Sequence, residues 1–258
     1  MQTLLPKFES ALTWAALIVL IVGWIPMCAV YRILDRDPAH YHSGRFLRRL
    51  GWCMSRVNRA WRIDVDGVIV ENPRNPYVVV CNHLSLADIP IISGLPWEMK
   101  WIAKKELLRT PLIGSLMRLA GDIPVDRSSR FSRMKTLVRA RDYIRNRCSV
   151  MFFPEGTRSP DGKLYEFQTG AFSLAIKAQV PVLPLVIDGS QHTLPPSGWQ
   201  FGRAHVRLRV LSPVDTAGLK PEDTAALSHR IRQLMVGQLA RWRNVPDTRV
   251  DGLLNAEP

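Results

Sequence analysis

The chain has 258 residues, 47% of them hydrophobic and 22% charged, which fits one folded domain with an appendage. That balance excludes a disordered tail protein, a collagen-like fibre, a small disulfide scaffold and a polytopic transporter. Lys and Arg number 35 against 22 Asp and Glu, leaving a formal charge of +13. Such an excess favours polyanions: nucleic acid, an anionic membrane surface or phosphorylated substrates. The cysteines Cys28, Cys53, Cys81 and Cys148 are scattered, with no C-x-x-C pair and no histidine at zinc spacing. They read as reduced thiols, and no metal site is implied.

Residues 10–31 carry no charge. As a helix this stretch spans roughly 33 Å, enough for a hydrocarbon core of about 30 Å. Trp14, Trp24 and Tyr31 fall where headgroups would lie, and Pro26 should kink or end the helix. A cleaved signal peptide and a buried core helix are the rival readings; Lys7 beside Glu9 and the poor cleavage site Met27-Cys28-Ala29 weaken the first. Over 43–63, Phe46, Leu47, Leu50, Cys53, Met54, Val57 and Trp61 recur at helical spacing. Between them lie Arg45, Arg48, Arg49, Arg56, Arg59 and Arg62. Such a helix either lies in a membrane interface, its arginines near lipid phosphates, or packs on the surface of the domain. The uncharged segment before it favours the membrane. Arginines directly after an apolar stretch place the following chain in the cytoplasm, hence at an inner (cytoplasmic) membrane. Residues 1–62 are thus expected to anchor, 63–246 to form the folded domain and 247–258 a frayed tail.

Short apolar runs then alternate with helical stretches. Strands are predicted over 63–70, 77–81, 99–103, 123–125, 149–153, 182–187 and 204–211. Helices are predicted over 85–95, 106–120, 129–147 and 170–179, with a last one over 221–243. This alternation predicts an α/β domain: a mostly parallel sheet flanked by helices, preceded by the membrane-associated helical segment.

Two clusters carry chemistry. After the run Tyr77-Val78-Val79-Val80-Cys81 comes Asn82-His83-Leu84-Ser85-Leu86-Ala87-Asp88, placing a histidine at a strand's carboxyl end, where α/β sheets hold ligands. With Ser85 as helix cap and Asp88 at the third helical position, the carboxylate reaches one ring nitrogen and leaves the other to take a proton. Taken alone, the pair is equally a capping Asp beside an unrelated loop histidine. The second cluster is Phe152-Phe153-Pro154-Glu155-Gly156-Thr157-Arg158-Ser159. Pro154 and Gly156 make a turn that a ligand can approach closely. Arg158 offers a planar fork for phosphate, with Glu155 to orient it or hold a substrate hydroxyl. A plain surface turn is the alternative.

Together these clusters resemble the 1-acylglycerol-3-phosphate acyltransferase family of glycerolipid acyltransferases. Gly121-Asp122-Ile123-Pro124-Val125-Asp126-Arg127, Val180-Pro181-Val182-Leu183-Pro184-Leu185 and the stretch from Ala103-Lys104-Lys105 to Gly114 resemble further family blocks, in order, over about residues 63–212. The resemblance implies acyl transfer from acyl-CoA or acyl-carrier protein to the sn-2 hydroxyl of lysophosphatidic acid. By the same resemblance, His83 is the general base and Asp88 its orienting partner; Lys104, Arg127, Glu155, Gly156, Thr157 and Arg158 bind substrate. No metal or bound cofactor is implied, and backbone N–H groups after His83 are candidates for stabilising the oxyanion. One departure concerns Phe167-Gln168-Thr169-Gly170-Ala171-Phe172, where many relatives carry a lysine. Acylation of another lysolipid, including lyso-ornithine lipid, therefore stays open. A catalytically silent, membrane-bound lipid-binding protein is the non-enzyme alternative. Nucleic acid is not an expected partner: it would explain a basic helix but neither the uncharged segment nor the two chemical clusters.

Overall fold

The computed structural model describes residues 4–195 and 198–253. Seven strands form one sheet in the order β1-β7-β6-β2-β5-β3-β4. They are β1 (Trp61–Gly67), β2 (Val78–Cys81), β3 (Met99–Lys104), β4 (Ile123–Val125), β5 (Ser149–Phe152), β6 (Val182–Asp188) and β7 (Ala204–Val210). The five from β4 to β6 in that order are mutually parallel; β7 runs antiparallel to β6, and β1 parallel to β7. The sheet is therefore mixed but mostly parallel. Every residue of β2 and β6 is buried, as unbroken apolar runs require when helices cover both faces. Edge strand β1 instead exposes Arg62, Asp64 and Asp66.

One face is covered by α5 (Arg130–Arg145), α6 (Gly170–Ala178) and α7 (Thr224–Arg243), through side chains such as Tyr143, Phe172, Ile231 and Leu239. The other packs on α3 (Asp88–Ile92) and on Trp52 of α2 (Tyr41–Val57). Outside α2 lie α1 (Lys7–Leu34) and α4 (Ile113–Ala120), joined to it through Ile21, Cys28, Leu47, Leu50 and Leu116. Several boundaries differ from those expected. The stretch predicted as one helix over 106–120 is a 3₁₀ turn at Lys105–Arg109 followed by α4, because Leu112 sits at φ 63° and breaks the helix between them. The helix predicted over 85–95 shrinks to α3, since residues 83–87 loop around the Asp88 carboxylate. The tail is not frayed through residue 253. Helix α8 (Asp247–Val250) leads to buried Asp251, which pairs with buried Arg232 of α7.

Helix α1 continues past Pro26 and is the one described helix long and apolar enough to cross a membrane. Its length lies against protein. The Leu5 N–H donates to Phe201 O at 2.8 Å, and Phe201 N–H to Ser10 Oγ at 3.1 Å. Trp14 and Trp24 do not form an outward belt: their ring N–H groups donate to Trp199 O (2.8 Å) and Phe46 O (3.2 Å). Tyr31 stacks on Phe46 at 4.1 Å. The opposite side exposes Phe8, Val19, Val22, Val30 and Ile33.

The basic helix α2 also departs from the lipid-facing expectation. It ends at Val57 because Asn58 turns the chain into β1. Its apolar side packs on α1 and α4, and Gly44 lets its backbone approach Glu98, where a Cβ would sit 2.2 Å from Oε1. Arg45 donates to Leu95 O at 2.6 Å, and Arg56 lies over the Trp52 ring. Arg48 is buried. Its guanidinium pairs with Asp122 and with Glu98 at 3.4 Å, while Lys100 Nζ meets Glu98 Oε1 at 3.1 Å. The neutral set of two cations and two carboxylates joins α2 to β3 and to the residue before β4. Asp122 also accepts Trp101 N–H at 3.0 Å. Desolvating such groups is costly, and removing one partner leaves an uncompensated charge. Arg48→Ala is expected to lower the unfolding free energy by about 3–5 kcal/mol, measured by urea titration in detergent. A loss well under 1 kcal/mol would show water reaching Glu98 and Asp122.

Candidate active site

The parallel strands β2, β5, β3 and β4 all end on one side of the sheet, and the candidate residues follow those ends. Asn82 secures the first end: its amide exchanges two hydrogen bonds with the Ile187 backbone of β6, at 2.8 and 2.9 Å. His83 comes next, with its side chain 13% exposed while that of Asp88 is fully buried. His83 Nδ1 lies 2.7 Å from Asp88 Oδ2. The same oxygen accepts the N–H groups of Leu84 (2.8 Å) and Ser85 (2.9 Å). A carboxylate so loaded is an acceptor, so the ring proton sits on Nδ1 and Nε2 is free to take another. The loop achieves this differently from the expected cap. Asp88 opens α3 after Ala87, and Ser85 Oγ accepts Ala87 N–H (3.3 Å) and meets Thr193 Oγ1 (3.1 Å). Leu84 and Ser85 N–H are spent on Asp88, so these two expected oxyanion donors are taken.

The Phe-Pro-Glu-Gly-Thr-Arg turn is tied directly to this loop. Glu155 Oε1 accepts His83 N–H at 3.0 Å, and Oε2 accepts Tyr165 N–H at 3.1 Å. In return Ser159 N–H donates to His83 O at 2.8 Å. Glu155 thus neither orients Arg158 nor stands free for a substrate hydroxyl; it holds three chain segments together. Burial pushes its carboxyl up to about 7, against the pull of its two N–H donors. Phe153 stacks on the His83 ring at 3.9 Å and 16°, a contact no local pattern announced.

Gly156 adopts φ 76°, which favours glycine, and a Cβ there would also displace the Gln168 side chain, whose Nε2 lies 2.4 Å from that position. Arg127 donates through Nη1 to Gly156 O, joining the end of β4 to the turn. Arg133, which sequence reasoning passed over, donates to Arg127 O. Thr157 and Arg158 are exposed, and Arg158 makes no side-chain hydrogen bond or ion pair among the described residues. Lys104 is exposed at the end of β3, 4.0 Å from Glu106. A cavity of about 110 Å³ opens beside the turn, lined by Phe153, Gly156, Arg127, Arg133, Leu137 and Gln168. The departure at Gln168 therefore falls on the wall of this cavity.

An oriented imidazole near a cationic, apolar-walled cavity is chemically able to take a proton from a hydroxyl. Known proteins resemble this chain in sequence and fold. The family profile described as Acyltransferase matches residues 62–188. The chain is 38% identical over 177 residues to the 1-acyl-sn-glycerol-3-phosphate acyltransferase alpha of Ovis aries, covering 68% of this chain and 62% of the relative. Over 182 residues it is 32% identical to the 1-acyl-sn-glycerol-3-phosphate acyltransferase of Saccharomyces cerevisiae, covering 69% and 60%. The crystal structure of the 1-acyl-sn-glycerophosphate (LPA) acyltransferase PlsC from Thermotoga maritima superposes with a TM-score of 0.74 at 26% identity. That match covers 92% of this chain and 97% of the other. The chain belongs to the 1-acylglycerol-3-phosphate acyltransferase family of glycerolipid acyltransferases, and spans about 62% of the length of the mammalian relatives it matches.

Glu155→Gln replaces one acceptor oxygen by an N–H₂ group facing another N–H, and is expected to cost about 1–3 kcal/mol. Its pH signature identifies it. Burial raises the folded-state value above the unfolded one, so between pH 4.5 and about 7 the folded form retains a proton that the unfolded chain has released. This group's contribution to stability therefore falls as pH rises through that window and is level above it. Thermal melts of wild type and Glu155→Gln from pH 4 upward should differ in slope below about 7 and run parallel above it. Parallel curves throughout would remove Glu155 as the titrating group.

Proposed function

We propose that the protein transfers a fatty acyl group from acyl-CoA or acyl-carrier protein to the sn-2 hydroxyl of lysophosphatidic acid, giving phosphatidate. One observation carries this reading: His83 is held through Nδ1 by the fully buried Asp88 carboxylate and stacks on Phe153, which lines a cavity bearing Arg127 and Arg133. The acceptor hydroxyl is a poor nucleophile at neutral pH. His83 Nε2 takes its proton as the oxygen attacks the thioester carbonyl, and Asp88 steadies the imidazolium that forms. The tetrahedral intermediate collapses with loss of the thiolate, which recovers the proton from His83. The hydroxyl is itself the nucleophile, so no acyl-enzyme is required. Phe153, stacked on the ring, limits its rotation and excludes water from one face. Arg127 and exposed Arg158 supply charge for the glycerol phosphate, with Lys104, Thr157 and the Gly156 backbone around them.

In this reading residues 1–62 anchor the catalytic part, 63–246, at the cytoplasmic side of an inner membrane; of the tail, 247–253 pack on the fold and 254–258 lie outside the described residues. The exposed apolar side of α1 supports attachment, and its ties to Phe201 and Phe46 favour a helix lying along the domain and inserted from one side. Membrane lipids then border the site and deliver the acceptor laterally. Val19→Asp with Val22→Asp, both far from the core, should abolish flotation with liposomes while leaving turnover on detergent-dispersed acceptor intact. Unchanged flotation would move the anchor to another surface.

His83→Ala is expected to lower kcat by at least about 10²-fold with folding retained, and Asp88→Asn to act in the same direction, because the imidazole loses its partner. Products would be read by mass spectrometry with saturating substrates; near wild-type turnover in His83→Ala would falsify the mechanism. Arg158→Lys keeps the charge but not the planar fork. It should raise KM for lysophosphatidic acid, costing about 1.5–3 kcal/mol in kcat/KM, with the donor's KM little changed. A shift confined to the donor would assign Arg158 to the carrier instead.

A further inference from the structure

Helix α5 presents a surface that the fold does not use. Its inner side, with Thr136, Ala140, Tyr143 and Ile144, is buried against the sheet. Its outer side exposes Phe131 (76%), Met134 (58%) and Val138 (52%). At 100° per residue these three share one stripe. Arg130, Arg141 and Arg145 lie along one flank or within it, and Lys135 and Arg139 along the other. Asp142 is the sole acid in a helix with six basic residues. Solvated charge alone does not call for an apolar stripe, and a purely hydrophobic contact does not call for this density of arginine. The combination suits a partner that is itself acidic with a small apolar patch.

Position narrows the partner. The amino-terminal half of α5 is continuous with the candidate active site. Arg133, Thr136 and Leu137 line the cavity whose wall, Phe153, stacks on His83. A body docked on the outer face of α5 stands beside that opening, and a thioester on a flexible arm can enter it.

We propose that the outer face of α5 is the docking surface for a small acidic carrier protein that presents the acyl group as a thioester. The inference rests on the acyl-transfer reading above and selects between its two donors. A free nucleotide thioester could use the arginines but leaves the stripe of Phe131, Met134 and Val138 unexplained. A carrier protein uses both, with the arginines setting encounter and orientation and the apolar residues setting residence.

The test uses the full-length enzyme in detergent and two variants, Arg141→Glu with Arg145→Glu, and Val138→Asp, which alter exposed positions away from the cavity. Binding of purified holo-acyl-carrier protein is measured by calorimetry. Transfer to lysophosphatidic acid is measured with palmitoyl-carrier and with palmitoyl-CoA. Both variants should weaken carrier binding and kcat/KM for palmitoyl-carrier by at least about tenfold, and leave kcat/KM for palmitoyl-CoA within about twofold. Added salt should weaken carrier binding to the wild type far more than to the charge-reversed variant. The proposal is overturned if the wild type does not bind the carrier, or if both donors fall together. It is equally overturned if the variants lose binding to phosphatidylglycerol vesicles while keeping the carrier, which would make α5 a membrane face. A wild type that binds the carrier but moves no acyl group to lysophosphatidic acid from either donor would instead defeat the acyl-transfer reading and leave the docking surface standing.

Discussion

The geometry of the candidate site depends on a reciprocal tie between two strand ends. His83 gives its backbone N–H to Glu155 and receives, at its carbonyl, the N–H of Ser159. Strands β2 and β5 are already neighbours in the sheet, but strand pairing ends where the loops begin. Without the tie, two irregular segments would each sample many conformations at the entropic cost that loops carry. With it, the histidine backbone is fixed from both sides, and Asp88 and Phe153 then fix the ring. Each contact is of modest strength, but they act on the same residue from different directions. The proposed general base needs its nitrogen held within about 0.5 Å of a productive position, and these contacts restrain the ring while leaving it partly open to solvent.

Glu155 shows how the same site stores a conflict. Its two oxygens serve backbone donors that prefer it ionised, while its burial prefers it neutral. The balance leaves it poised near neutrality, which is unusual for a group with a purely positioning task. The loop that carries Arg158 and Thr157 is thereby joined to the protonation state of a residue that does not touch Arg158. The exposed arginine has no side-chain partner among the described residues, because the neighbouring carboxylate is occupied with backbone.

A second constraint lies under the site, in the buried set of Arg48, Glu98, Lys100 and Asp122. Hydrophobic contacts between α2 and the rest of the fold would tolerate sliding, because apolar packing is not directional. Charges without access to water do not: each must meet its counter-charge or pay a large desolvation penalty. The network therefore sets the register of α2, and of α1 packed on it, against β3 and β4, the strands that carry Lys104 and lead to Arg127. Whatever holds α1 and α2 thus also holds one flank of the cavity.

Much of this was legible in the residues. The unbroken apolar runs of β2 and β6 announced strands covered on both faces, and the His83 and Phe-Pro-Glu-Gly-Thr-Arg clusters announced their own place after strand ends. The helical spacing of α2 gave the right element and the wrong neighbour, because periodicity tells that one side of a helix is apolar but not what covers it. Trp14 and Trp24 failed in the same way: an amphipathic ring suits a lipid headgroup and a backbone carbonyl equally. Arg48 and Asp122 are 74 positions apart, so no local pattern could join them. Glu155 was placed correctly and given the wrong task, since which donor a carboxylate serves depends on which backbone the fold brings to it. Residue types and their spacing determined the elements and the available chemistry; the choice of partner for each polar group was made only by tertiary packing, where directional bonds and desolvation act between segments far apart in the chain.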